Sequence, residues 1–300
     1  MSFFQKFHKW FVHREYSIGF LDEEDVTLPD LERSKKIRWV DTCGYNHGWF
    51  ADPFIFSVSE DSIEVLAEEF EYHNSKGRLV SLTISKKENK LLSVKEILNL
   101  DTHLSFPIYI YDNVKCYVYP ENYESGVFSI YEFDTVSKRL VNPKVIINEP
   151  LVDTQIVKIG KNFYAFGVRN TSIGLEYTKV LRIYESDNLL GEYKLIQIIE
   201  NSYKEERGAG LFFYQNGKLV RPAQSCEIDY GRELVFYEIS KNELGFSEME
   251  IFRMKPDLSD FHYGRGLHTF NKKEGLVIVD GLGYTHWRIN GILRKILRQL

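Results

Sequence analysis

The chain has 300 residues and carries 38 Lys and Arg against 43 Asp and Glu, a formal net charge of −5. That balance argues against a nucleic-acid binder, and 43% apolar with 27% charged residues excludes wholesale disorder. The unusual figure is the aromatic content of 15%, from 21 Phe, 19 Tyr and 4 Trp, which favours strands over helices.

At the N-terminus Phe3, Phe7, Trp10 and Phe11 recur at helical spacing among Lys6, Lys9 and Arg14. They predict a basic amphipathic helix over residues 1–15. Such a helix suits docking on an anionic membrane surface, or packing its apolar stripe on the domain. No small-residue cleavage site follows, so no secretory signal is read, and no stretch reaches the roughly 18 apolar residues of a membrane span. The expected location is the cytoplasm, peripheral to the inner membrane where the helices face lipid. Tyr16–Leu21 and Ile37–Val40 then read as short strands.

From residue 50 onward helical periodicity almost vanishes. Short apolar runs are broken by hairpin signals such as Asp112-Asn113, Gly160-Lys161-Asn162, Asn216-Gly217-Lys218 and Lys272-Lys273-Glu274-Gly275. Five units align. They open at Ala51-Asp52-Pro53-Phe54, His103-Leu104-Ser105-Phe106, Leu151-Val152-Asp153-Thr154, Arg207-Gly208-Ala209-Gly210 and Arg265-Gly266-Leu267-His268. With Asp52, Ser105, Asp153, Gly208 and Gly266 taken as equivalent, the period is near 50 residues with about four strands per unit. That is the pattern of propeller blades. The fold expected is all-β, a five-bladed β-propeller in one domain over 1–300, its ring spanning roughly 16–283. The fifth unit has two clear strands, Gly266–Asn271 and Leu276–Asp280. Its outer strands are expected from Tyr16–Leu21 and Ile37–Val40, which would close the ring and remove an open edge.

The C-terminus repeats the N-terminal pattern. Ile292, Leu293, Ile296, Leu297 and Leu300 lie among Arg288, Arg294, Lys295 and Arg298, predicting a second amphipathic helix over 284–300. Cys43, Cys116 and Cys226 are odd in number and form no close pair, which excludes a disulfide framework or zinc knuckle.

In a propeller the starts of the innermost strands face one central mouth. Polar residues there converge although some 50 residues separate them in sequence. Asp52, His103, Ser105, Asp153, Glu206, Arg207 and His268 with Thr269 occupy these positions. Two further strings, Tyr119-Pro120-Glu121 and Arg221-Pro222-Ala223-Gln224, place Glu121, Arg221 and Gln224 on second strands. Carboxylates gathered this way suit acid–base work at an anomeric carbon. Arg221 suits bidentate recognition of phosphate or carboxylate. Trp49, Phe50, Phe106 and Tyr230 are candidates to stack on sugar rings. Each residue also has a structural alternative. Asp52-Pro53 and Asp153-Thr154 initiate turns, Glu206-Arg207 forms a surface ion pair, Arg221 pairs between blades with Glu121, and the aromatics wedge blade against blade. No Gly-rich phosphate loop, Asp-x-Asp string or tight His/Cys cluster occurs, so no cofactor and no metal are expected.

Trp49-Phe50-Ala51-Asp52-Pro53-Phe54, His103-Leu104-Ser105-Phe106-Pro107, Tyr119-Pro120-Glu121 and Arg221-Pro222-Ala223-Gln224 together resemble one family, the N-terminal domains of glucosamine inositolphosphorylceramide transferase. That family is in turn similar to the five-bladed propellers of family-43 and family-32 glycoside hydrolases. The resemblance covers roughly residues 37–282. It implies Asp52 as catalytic base, Asp153 as a second carboxylate that tunes or orients, and Glu206 as acid. Glu206-Arg207-Gly208-Ala209 departs from the Glu-Gly-Pro string of the hydrolases, which argues against plain hydrolysis. The substrate-binding set expected is Trp49, His103, Ser105, Glu121, Arg207, Arg221, Gln224 and His268. The function expected is a glycosyltransferase in bacterial surface polysaccharide assembly (capsule, exopolysaccharide or lipopolysaccharide), with an activated sugar donor and a glycan or glycolipid acceptor. The alternatives are a glycoside hydrolase and a non-catalytic glycan-binding propeller.

Overall fold

The computed structural model describes residues 12–22, 28, 37–42, 44–173, 176–200, 207–225, 231–260 and 262–287. The first two strands, β1 (Val12–Asp22) and β2 (Arg38–Trp39), do not begin a sheet of their own. Blade one is β3 (Gly48–Val58), β4 (Ser62–Glu71), β5 (Lys76–Ser85) and β6 (Lys90–Leu98). Blade two is β7 (Ser105–Asp112), β8 (Lys115–Glu121), β9 (Phe128–Asp134) and β10 (Arg139–Ile147). Blade three is β11 (Val152–Ile159), β12 (Asn162–Ile173), β13 (Glu176–Ser186) and β14 (Lys194–Glu200). Blade four has an interrupted inner strand, β15 (Arg207–Gly208) and β16 (Phe213–Gln215), both paired with β17 (Lys218–Ser225), then β18 (Glu233–Asn242) and β19 (Gly245–Met254). Blade five starts with β20 (Gly266–Lys273) and β21 (Leu276–Trp287) and is completed by β1 and β2, in the order β2-β1-β21-β20. These five sheets make an all-β, five-bladed propeller.

The ring therefore closes as the sequence predicts, with N-terminal strands outside C-terminal ones. β1 runs antiparallel to β21 from the pair Val12↔Trp287 to the pair Asp22↔Leu276. The terminal helices are a different matter. Residues 12–15 and 284–287, expected to be helical, continue this ladder as strand. The cross-strand partner satisfies their backbone groups and overrides the local helical spacing. The rest of the two expected helices lies outside the described residues.

Both faces of a blade pack on neighbours, so the inner strands carry near-continuous apolar runs rather than strict alternation. In β8 every residue after Lys115 is buried. The aromatics fill the wedges. Phe54 meets Phe106 between blades one and two, Phe166 meets Phe246 between blades three and four, and Phe236 meets Phe270 between blades four and five. No helix among the described residues is long and apolar enough to cross a membrane.

One local device recurs at the mouth. The ladder of the two innermost strands skips two residues in four blades, between Ala51 and Phe54, Ser105 and Ile108, Val152 and Gln155, and Leu267 and Phe270. These are β-bulges, which re-aim side chains at a rim. Asp52, Phe106 and Asp153 open their bulges with φ of 50°, 49° and 42°, a left-handed conformation in non-glycine residues. Pro53 and Pro107 follow, at positions where no ladder N–H is needed. The bulges correct the repeat register. Ser105 is the counterpart of Ala51, and Phe106 is the counterpart of Asp52. In blade five the counterpart is His268, two residues after the Gly266 proposed from sequence.

Candidate active site

Asp52 joins three blades. Its Oδ1 accepts from Thr269 Oγ1 of blade five at 2.8 Å, and its Oδ2 accepts from the Phe106 N–H of blade two at 3.1 Å. Its own N–H donates to Asp280 Oδ2 at 2.9 Å. The carboxyl is buried. Burial pushes its pKa up to about 6, Asp280 and Asp153 add to the rise, and His268 and Thr269 oppose it. At neutral pH Asp52 is mostly ionised yet a stronger base than an ordinary aspartate.

Behind it lies a buried ion pair. His268 Nδ1 meets Asp280 Oδ2 at 2.6 Å, and Asp280 Oδ1 accepts from the N–H groups of His268 and Thr269. Burial alone would lower the His268 pKa, but Asp280 and then Asp52 outweigh it and raise it to about 9. His268 is thus a cation 3.8 Å from Asp52 Oδ1, and its ring stacks on Tyr16 at 4.4 Å. Among the described residues, Asp52, His268 and Asp280 are also the group able to bring three ligand atoms within 4.8 Å of one another for a metal. In the structure those atoms are engaged with each other and with N–H donors.

Asp153, the bulge residue of blade three, is held from blade four. Arg207 Nε donates to its Oδ2 at 2.6 Å and Gln224 Nε2 donates to the same oxygen at 2.9 Å. A Cβ on Gly208 would lie 2.2 Å from the Asp153 carbonyl oxygen, so a glycine is needed where the two blades touch. The Arg207 side chain is 18% exposed, so this ion pair is the less buried side of the Asp153 contact.

Two glutamates complete the cluster. Glu121 pairs with Ser105 across the ladder, and Glu68 holds the same register opposite Ala51. Glu121 accepts from the Tyr123 N–H at 3.0 Å and from Ser105 Oγ at 3.3 Å. Burial pushes its pKa up to about 7, with Asp153 adding and Arg207 opposing. Glu68 is raised well above the carboxylate range by burial, then by Asp52, Glu121, Asp280 and Asp153. His103 Nε2 lies 3.4 Å from Glu68 Oε1.

The structure thus brings together Asp52, His103, Ser105, Glu121, Asp153, Arg207, Gln224 and His268. Glu206 lies outside the described residues, as does Tyr230. Arg221 is a correction. It is buried and bound through Nε and Nη2 to Glu248 and through Nη1 to Gln155, so it locks blade three to blade four rather than meeting a ligand. Its ion-pair partner is Glu248, not Glu121. Phe106 is buried in the wedge against Phe54 and offers no platform, and Phe50 is buried against Tyr45. Trp49 is half-buried, but its ring stacks on Phe70 at 4.8 Å and leans on Tyr16 at 5.3 Å. It belongs to an aromatic wall rather than standing free. Sequence reasoning missed Glu68 and Asp280. Asp280 has one available signal, a lone acid directly after the apolar run Val277-Ile278-Val279, while Glu68 sits in Glu68-Glu69, where pattern does not say which carboxyl faces the mouth.

Comparison with known proteins gives a consistent picture. The family model described as "Glucosamine inositolphosphorylceramide transferase 1, N-terminal" matches residues 36–267. Glucosamine inositolphosphorylceramide transferase 1 of Oryza sativa subsp. japonica is 28% identical over 251 residues, 77% of this chain and 33% of the rice protein. The protein of that name from Arabidopsis thaliana is 27% identical over 260 residues, 79% of this chain and 34% of the relative. The chain spans about a third of the length of the curated relatives it matches. Among solved structures, the catalytic domain of a GH62 α-L-arabinofuranosidase from Coprinopsis cinerea superposes with a TM-score of 0.54, at 10% identity, over 87% of this chain and 83% of the other. An exo-β-1,3-galactanase from Phanerochaete chrysosporium does so with 0.52, at 10% identity, over 75% and 57%. At that identity the likeness concerns the fold alone. These findings overturn the expected role in bacterial surface polysaccharide assembly, because the named relatives are plant sphingolipid transferases.

Proposed function

The chain belongs to the glucosamine inositolphosphorylceramide transferase N-terminal family, and on that premise we propose that its propeller carries out acid–base glycosyl transfer with a glycan or glycolipid acceptor. The observation that carries this reading is the placement of Asp52. A buried carboxylate of blade one is fixed by donors from blades two and five, within the electrostatic reach of Asp153. In this reading the acceptor hydroxyl gives its proton to Asp52 as its oxygen bonds the anomeric carbon. The bond from that carbon to the leaving oxygen breaks, and the electron pair stays with that oxygen. A pKa of about 6 lets Asp52 be ionised at neutral pH and still take a proton. Asp153, held by Arg207 and Gln224, orients the sugar and tunes Asp52. Arg207 offers partly exposed positive charge to an anionic group such as the phosphate of a lipid headgroup. The relatives' name supplies the finer terms for this chain, an amino sugar as the unit moved and inositolphosphorylceramide as the lipid.

The test is incubation with sugar-nucleotide and glycoside donors in the presence of inositolphosphorylceramide vesicles, with products read by mass spectrometry. A glycosylated lipid is expected, lost at least 100-fold in Asp52→Asn. No product from any donor would overturn the reading. Hydrolysis, with water as acceptor, is a second reading. It is favoured by a second buried carboxyl at the mouth, Glu121, which burial pushes up to about 7 and which accepts from Ser105 Oγ and the Tyr123 N–H. Sugar release from aryl glycosides without lipid would select it.

A further inference from the structure

Glycosyl transfer needs a proton for the leaving oxygen whenever that oxygen belongs to another sugar or an alcohol. We propose that Glu68 supplies this proton, that His103 is the positioning residue that fixes its carboxyl, and that the donor cleaved at this mouth is therefore a glycoside rather than a sugar phosphate. The inference rests on the acid–base reading of the site.

The geometry begins with the ladder. Glu68 pairs with Ala51, the residue before Asp52, so the two carboxyls rise from adjacent positions on β4 and β3. Both are pinned to one short stretch of blade two. Asp52 accepts from the Phe106 N–H, and Glu68 Oε1 meets His103 Nε2 at 3.4 Å. The imidazole is held in one tautomer. Its Nδ1 accepts from the Gly77 N–H at 3.0 Å, so the ring proton sits on Nε2 and points at Glu68. The backbone of His103 is tied as well, its N–H donating to Glu124 Oε2 at 3.0 Å. The next N–H, that of Leu104, donates to the Gly77 carbonyl at 3.0 Å.

Gly77 shows that this arrangement leaves no slack. A Cβ there would lie 2.5 Å from Glu68 Oε1, 2.8 Å from His103 Cε1 and 2.4 Å from the Leu104 carbonyl oxygen. The Glu68 side chain is 7% exposed and that of His103 is 35% exposed, so the pair runs from the wall of the mouth to its rim. Burial and four neighbouring carboxyls favour the protonated form of Glu68, while burial, Arg207 and Lys76 lower the imidazole against an opposing Glu124.

The step balances. Glu68 gives its proton to the leaving oxygen as the bond to the anomeric carbon breaks, and the carboxylate that remains accepts from His103 Nε2–H. Asp52 takes the acceptor's proton, and exchange with water at the rim returns one proton to Glu68. A phosphate leaves without such help, which is why the acid implies a glycoside donor.

Leaving-group dependence tests this. Methyl and 2,4-dinitrophenyl glycosides of a panel of sugars, glucosamine included, are compared with wild type, Glu68→Gln and His103→Phe, and folding is checked by thermal melts. Glu68→Gln should lower kcat/KM at least 100-fold on the methyl glycoside and less than about fivefold on the dinitrophenyl one, whose leaving group needs no proton. Equal losses on both would make Glu68 merely structural and overturn the proposal, as would no loss on either. His103→Phe removes a donor to the Glu68 carboxylate, so the alkaline limb of the pH profile should move up. An unmoved limb overturns the positioning role, and it decides the matter alone where Glu68→Gln fails to fold. A wild-type protein that transfers from sugar nucleotides but cleaves no glycoside overturns this inference and leaves the glycosyl-transfer reading standing. A protein inactive on every donor takes both down.

Discussion

Thr269 Oγ1 donates to Asp52 Oδ1 at 2.8 Å across 217 positions of sequence. The bond closes the ring, because Thr269 lies on the last inner strand and Asp52 on the first. It also acts on the carboxyl, because a hydroxyl on a buried carboxylate favours its ionised form and opposes the rise that burial causes. Ring closure and site assembly are therefore one interaction, reinforced by Asn271 Nδ2 donating to the Pro53 carbonyl at 2.8 Å.

Replacing Thr269 with Val keeps the shape and removes the donor. Asp52 already titrates near 6, and losing a hydrogen bond to its charged form moves it higher. Activity that needs ionised Asp52 rises with pH through that value, so the acid limb should shift to higher pH. Stability should fall by about 1 kcal/mol. Thr269→Ser keeps the hydroxyl and should behave as wild type. A pH–rate profile and urea melts check both, and an unmoved acid limb in Thr269→Val would count against Asp52 as the base.

The legible part of this molecule is the part written in turns and in inner-strand starts. Asn216-Gly217 has positive φ at both residues, the conformation a two-residue hairpin favours, and such tips mark the repeat. Asp52 and Asp153 stood out because an acid opens an otherwise apolar strand. Matching polar residue to polar residue aligns Ser105 with Asp52, but the bulge common to both blades makes Phe106 the counterpart of Asp52. Phe106 contributes only its N–H, and a backbone donor has no sequence signature. Arg221 reads as functional in the sequence for the same reason as Asp52, a charge on a buried strand. Its partner Glu248 lies on the outermost strand β19 of the same blade, 27 residues on, and only the strand register across β18 shows that the two meet.

His268 ties stability to pH. Its pKa is about 9 in the folded protein against 6.5 for an ordinary histidine. The stabilisation is thus full below about 6.5 and is lost as pH rises through about 9, on the order of 3 kcal/mol in all. His268→Gln leaves Asp280 buried without its cation and should be several kcal/mol less stable than wild type at pH 6.5. That gap should narrow by pH 9.5. Denaturant unfolding at the two pH values measures it, and a gap that stays constant removes the ion pair from the explanation.

Glu121 works in the opposite sense to a salt-bridged carboxylate. Its pKa rises from an ordinary 4.5 to about 7. Its contribution is full below about 4.5 and is lost as pH rises through about 7. Glu121→Gln keeps an acceptor for the Tyr123 N–H and a donor for Ser105, without the charge. Relative to wild type the variant should gain stability between pH 5 and pH 8, on the order of 2 kcal/mol. Thermal melts across that range should show the two curves diverging upward with pH. Parallel curves would mean that Glu121 reaches more water than its burial indicates.

Two arginines on blade four separate architecture from recognition. Arg221 is buried with Glu248 and Gln155, and Arg207 is partly exposed on Asp153. The same conservative change should therefore read out differently at each position. Arg221→Lys keeps one charge but loses the fork that grips both Glu248 oxygens and the bond to Gln155. It should cost about 1–3 kcal/mol. Binding of an inositol phosphate probe should stay within twofold, because Arg221 does not face the mouth. Arg207→Lys keeps a cation beside Asp153, supported by Gln224, so its melting temperature should stay near wild type. It loses the planar donor set that suits a phosphate, and on the proposed reading the same probe should bind at least tenfold more weakly. Melting curves with calorimetric titration of both variants resolve the contrast. If Arg221→Lys weakens binding while Arg207→Lys does not, the assignment of the two residues must be exchanged.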